Sequence, residues 1–81
     1  MFIQKNFIYL KSKHNVSYRK IAFALNININ AILRIKNGAE QNVTIKTIAN
    51  LANFFDVTID DLVYKDLSIE NKLNYREIDN E

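Results

Sequence analysis

The chain has no cysteine and no proline, one glycine and one histidine among its 81 residues. Without cysteine no disulfide can staple the fold, and a single histidine cannot build a zinc site, so no metal is expected and stability must come from buried apolar side chains. Without proline, and with Gly38 as the sole glycine, helix ends have to be marked by asparagine, serine and threonine. Unbroken apolar runs are also missing: the longest span three or four residues, as at Ile21 to Ala24, against roughly 20 for a membrane crossing. The first residues, Met1 to Asn6, lack the basic stretch, apolar block and cleavage site of a signal peptide. The expectation is a cytoplasmic protein without membrane attachment.

A chain of this length supports one domain and buries about 60–65% of its unfolded surface, which leaves little room for an enzyme cleft. Catalytic candidates are correspondingly thin. His14 stands without a second histidine or a cysteine, and Asp60 and Asp61 read as acidic residues at a helix start rather than an acid–base pair. No glycine-rich phosphate loop or nucleophile elbow is present. Neither an enzyme nor a cofactor or small-molecule substrate is expected.

Charge is distributed unevenly. Residues 1–50 carry eight lysines and arginines against Glu40 alone, and residues 51–81 carry three against eight carboxylates, so a +7 part adjoins a −5 part within a net charge of +2. Such asymmetry suits a molecule with one face toward phosphate and another toward water or a partner.

Apolar spacing predicts an all-helical fold. Phe2, Ile3, Phe7, Ile8 and Leu10 describe an amphipathic first helix that runs out between Ser12 and Asn15. Ser17 reads as the cap of a short second helix, with Ile21, Ala22 and Leu25 inward and Tyr18, Arg19 and Lys20 in an exposed first turn. Asn26 tolerates the left-handed backbone of a tight turn. Asn28 then caps a third helix running through Lys36, with Ile32 and Ile35 inward and Ile29, Asn30, Leu33 and Arg34 nearer its outer face, and Gly38 stops it. Thr44 caps a fourth helix whose Ile45, Ile48, Ala49, Leu51, Ala52 and Phe55 are expected to supply much of the core. Thr58 caps a short fifth helix. The pattern divides the chain into a domain over residues 1–64 and a tail over 65–81, where Leu67, Ile69, Leu73, Tyr75 and Ile78 fit a strand, a further helix or a docking arm. No repeat is visible.

The segment Ser17-Tyr18-Arg19-Lys20-Ile21-Ala22-Phe23-Ala24-Leu25-Asn26-Ile27-Asn28 resembles the helix-turn-helix core of phage repressors, Cro proteins (XRE type) and restriction-modification controllers. Ile32, Ile35 to Gly38, Thr44 to Ile48 and Phe55 to Leu62 continue that resemblance in order, over about residues 5–64. It implies a five-helix, lambda-repressor-like DNA-binding domain with a short C-terminal extension. The chain departs from the family at Tyr18, where glutamine is common, at Lys36, where glutamate often pairs with a basic residue of the first helix, and at Asn26, where glycine is usual. Ala22 is required to be small where the two helices of the motif cross.

The resemblance further implies a repressor or controller of transcription that places its third helix in the DNA major groove. Ile29, Asn30, Leu33 and Arg34 would face base edges, Asn30 suiting adenine and Arg34 suiting guanine. Ser17, Tyr18, Arg19, Asn28, Lys36, Asn37, Thr44 and Lys46 would meet backbone phosphates. One such helix reads only a few base pairs, so a homodimer on double-stranded DNA is expected, with Phe54, Leu62, Val63, Tyr64 and Leu67 as interface candidates. Phe54 and Leu62 equally fit a reading in which they complete the monomer core. The rival function is a helix-turn-helix module that grips a protein partner, such as an inhibitor or assembly factor of a mobile element.

Overall fold

Four of the helices begin where a polar side chain supplies an acceptor for the first free N–H groups. A computed structural model describes residues 2–39 and 43–69, and the regular elements among them are α1 (Ile3–Lys13), α2 (Tyr18–Leu25), α3 (Ile29–Asn37), α4 (Ile45–Phe54) and α5 (Ile59–Tyr64). Ser17 Oγ accepts from the Lys20 amide at 3.0 Å, Asn28 Oδ1 from Asn30 at 2.8 Å, Thr44 Oγ1 from Thr47 at 3.2 Å and Thr58 Oγ1 from Asp61 at 3.0 Å. Each cap contributes on the order of 1 kcal/mol. Helix α1 has no side-chain cap; the amide of Phe2 just before it instead donates to the Val63 carbonyl at 2.8 Å. A further helical turn starts at Leu67 and is described through Ile69, so the expectations for Leu73, Tyr75 and Ile78 lie outside the described residues.

Helix ends share one device. Asn15, Asn26, Gly38 and Asp56 all adopt positive φ, between 52° and 72°. At each, the following amide reaches back five residues: Val16 to Lys11, Ile27 to Ala22, Ala39 to Arg34 and Val57 to Ala52. This double bonding satisfies carbonyls that the helix itself leaves open. Three of these stops run directly into the next cap. Asn15-Val16-Ser17, Asn26-Ile27-Asn28 and Asp56-Val57-Thr58 are the same three-residue joint: a left-handed residue, an apolar residue packed on the core, and an N-cap. Although the sequence shows no repeated segment, its joints recur.

The core is built from one face of every helix: Ile3, Phe7 and Leu10 of α1, Ile21 and Ala22 of α2, Ile32 and Ile35 of α3, Leu51 and Ala52 of α4, Phe55, and Leu62 and Val63 of α5. Phe7 sits at its centre, edge-on to Phe55 at 6.3 Å between ring centroids. Burial of a side chain of this size contributes roughly 1.5–3 kcal/mol. Ile45 departs from expectation. It is 79% exposed, because it occupies the first turn of α4, which overhangs the core that the following turns cover. Tyr18 departs in the opposite direction: it is half-buried, its ring 5.8 Å from that of Phe7.

Among the described residues one polar residue lies fully inside. Asn6, on the buried face of α1, donates through Nδ2 to the carbonyls of Leu62 at 2.7 Å and Lys65 at 2.6 Å, and accepts through Oδ1 from the Leu67 amide at 3.0 Å. Its carboxamide thus satisfies the open end of α5 and the start of the next turn together. Beside it, Lys5 Nζ pairs with Asp66 at 2.6 Å. The chain just beyond Tyr64 is therefore tied to α1.

Candidate nucleic-acid interface

Helices α2 and α3 form the motif that the sequence pointed to. They pack on each other around Ala22, which is 5% exposed, and the joint at Asn26 to Asn28 sets their crossing. Ile32 and Ile35 anchor α3 inward with 0% and 4% exposure, and Ile27 packs at its entrance. With nine residues, α3 is about 13.5 Å long, a length that a major groove about 12 Å wide admits end-on or lengthwise.

That anchoring leaves Asn30 and Arg34 exposed, four residues apart on one side of α3. Leu33 is half-buried beside them. Ile29 is also half-buried and packs against the core, so it has less side chain to offer outward than its neighbours. The polar chemistry of this face rests on a carboxamide and a guanidinium.

The residues expected around it differ in what they have left to give. Ser17 and Asn28 spend an acceptor on their own helices and keep a hydroxyl and an amide donor available. Thr44 is more committed, since its hydroxyl also meets Thr47 Oγ1 at 3.0 Å. Arg19, Asn37 and Lys46 are exposed. Lys36 and Tyr18 are drawn together, with the Lys36 ammonium 5.5 Å from the Tyr18 ring centre.

Two supporting residues carried no recognisable sequence signal. Gln4 Nε2 donates to the Lys36 carbonyl at 3.0 Å, closing the end of α3 from α1. A β-carbon at Gly38 would lie 3.0 Å from that same carboxamide, the far end of a flexible side chain that can give way, so the glycine is needed above all for its φ of 72°. Asn6 is the other: an isolated asparagine in an apolar stripe looks like any solvated position until α5 is packed over it.

The interface candidates fall into two groups. Leu62 and Val63 are 0% and 5% exposed and belong to the core of the single chain, because α5 lays that side against α1 and α4. They are not surface residues, which corrects their assignment to a dimer face. Tyr64 is 69% exposed, while Phe54 and Leu67 are half-buried. Phe54 lines a shallow groove of about 240 Å³ with Ala24, Leu25, Asn50 and Asn53. No helix among the described residues is long and apolar enough to cross a membrane.

Comparison with known proteins agrees with this arrangement. The model of a helix-turn-helix family, HTH_3, matches residues 8–62. Among solved structures the chain is similar to a transcriptional regulator from Listeria innocua, at 26% identity and a TM-score of 0.68, over 94% of this chain and 76% of that one. No curated protein matches it.

Proposed function

The chain belongs to the helix-turn-helix family HTH_3, and on that premise we propose that it is a transcriptional regulator that binds double-stranded DNA as a homodimer, with α3 in the major groove. The observation that carries this reading is the pairing of a firmly anchored helix with an exposed Asn30–Arg34 edge. Asn30 is suited to bridge adenine N6 and N7, Arg34 to fork onto guanine O6 and N7, and Leu33 to touch a thymine methyl, with Ile29 in a lesser role. Ser17, Tyr18, Arg19, Asn28, Lys36, Asn37 and Lys46, with a lesser part for Thr44, hold phosphates and set register. The likeness to a transcriptional regulator supports the regulatory role.

Dimerisation places two such helices on half-sites about 34 Å apart. Phe54, Tyr64 and Leu67 remain as its contacts, with residues 65–81 as a candidate arm. Selection of bound sites from a random duplex pool tests the whole reading: recovery of a two-fold symmetric consensus supports it, and a pool that stays random after several rounds overturns it. A second reading, a module that grips a protein, draws on Phe23, which is 87% exposed on α2. A chain that leaves every duplex free yet captures one folded partner would favour it.

A further inference from the structure

Phe23 is the most exposed large apolar side chain among the described residues, with 87% of its surface open on the outer side of α2. Its ring does not fill the shallow groove beside it. Side chains of adjacent helical residues leave the axis about 100° apart, and it is the next residue, Ala24, that lines the groove with Leu25, Asn50, Asn53 and Phe54. At about 240 Å³ the groove exceeds the roughly 150 Å³ of a protein cavity that holds benzene. It is firm on the α4 side, where Phe54 stands edge-on to the buried Phe55 at 5.0 Å between ring centroids. A phenyl ring without a seat and a seat wide enough for a phenyl ring therefore adjoin on one face. Charge divides along that face as well. Lys20, three residues before Phe23 and four before Ala24, is exposed on the α2 edge, and Asp56, two residues beyond Phe54, is exposed where α4 ends. Among the described residues neither joins an ion pair; those link Lys5 to Asp66 and Lys65 to Asp61.

We propose that this α2–α4 face pairs with the same face of a second copy of the chain, each Phe23 seated in the groove of the other. This rests on the homodimer reading above and adds Phe23, Lys20 and Asp56 to Phe54 among its contacts. A second copy supplies what each feature lacks: a ring for the groove, a groove for the ring, and the opposite sign of charge for each edge. A two-fold axis between ring and groove makes both insertions at once, because every contact of such an interface is made twice. The same rotation turns the Lys20 edge of each copy toward the Asp56 edge of the other. Pairing here leaves α3 uncovered. Ala22, around which α3 packs, lies about 200° around α2 from Ala24, so the Asn30–Arg34 edge belongs to the side away from the contact.

The test is sedimentation of the full chain over a concentration series. Phe23→Ser is expected to raise the dissociation constant at least about tenfold, because one substitution removes both aromatic anchors from the centre of the interface. Asn53→Arg, which plugs the groove, should do the same. An equimolar mixture of these two variants should associate more tightly than either alone, since the intact ring of one fits the intact groove of the other. Lys20→Gln and Asp56→Asn should each weaken association, and their combination should weaken it no further than the stronger of the two, as expected of residues that act on each other. Melting curves check that each variant still folds. Wild-type association by Phe23→Ser, or a mixture no tighter than its components, overturns this face as the contact and leaves the homodimer reading to Tyr64 and Leu67. A wild type that stays monomeric throughout the series overturns both.

Discussion

The Asn6 carboxamide and the Leu62 carbonyl, 2.7 Å apart across the packed faces of α1 and α5, form the one fully buried side-chain hydrogen bond that joins the two ends of the described fold. Replacing Asn6 by leucine keeps most of the volume but strips partners from two carbonyls and from the Leu67 amide. Each buried group left unpaired costs about 1–3 kcal/mol. A total loss of at least about 3 kcal/mol is expected, lowering the melting temperature by about 12–24 °C or more at this chain length. A melting curve within about 2 °C of wild type would remove the keystone role assigned to Asn6.

Acid should loosen the same region. The hydrogen bond from Lys5, then that from Ser68, hold the Asp66 carboxyl below the ordinary aspartate value of 3.8, and Lys65 does the same for Asp61. A carboxyl whose folded value is depressed adds stability that is fully present above its unfolded value and fades as pH falls through the folded one. Unfolding midpoints measured from pH 6 down to pH 2 are expected to drop below about pH 4. Lys5→Met should make that drop shallower; an identical acid limb in the variant would show that the Lys5–Asp66 pair does not contribute.

Gly38→Ala meets two penalties, a left-handed backbone that costs a side chain about 1–2 kcal/mol and a 3.0 Å approach to Gln4. Urea titration should register at least the first. In a Gln4→Ala background the steric part vanishes and the backbone part stays, so the substitution should remain destabilising there. If it became neutral, crowding rather than backbone conformation would be the reason for glycine.

Arg34→Ala is expected to cost about 1–3 kcal/mol of discrimination at one base position while leaving salt-dependent bulk affinity nearly intact. Competition binding with single-base operator variants measures this. Equal weakening on every sequence would reassign Arg34 to phosphate.

Burial separates Leu62 from Tyr64. Leu62→Ala should destabilise the single chain by about 2–5 kcal/mol, whereas Tyr64→Ala should leave the fold within about 0.5 kcal/mol and raise the dissociation constant of the dimer in sedimentation experiments. A Tyr64 variant that associates as tightly as wild type would take this residue out of the interface.

Much of this architecture is legible in the chain itself because its information is local. Ser17, Asn28, Thr44 and Thr58 announce helix starts through hydrogen bonds no more than three residues long, and a reader of spacing finds them. Inward positions of α3 follow from period alone, as Ile32 and Ile35 attest. What escapes is decided by partners distant in sequence. Asn6 acquires its meaning from carbonyls more than 50 residues away, and Gln4 from Lys36, 32 residues on. Ile45 misleads for a related reason: its apolar character marks a core position only where a neighbouring helix covers it, and none covers the overhanging first turn of α4. The same limit explains Leu62 and Val63, whose pattern fits a core and an interface equally well until α5 is seen against α1.

The three joints at Asn15, Asn26 and Asp56 carry one more consequence. Each packs stop, anchor and start into three consecutive residues. Adding or deleting a single amino acid in such a hinge would part the stop from its anchor or the anchor from its cap, so that one of the three tasks would fall to a residue unable to perform it. Trading Asn for Gly, Val for Ile or Ser for Thr would disturb little, so at these places the molecule is governed by count far more strictly than by spelling.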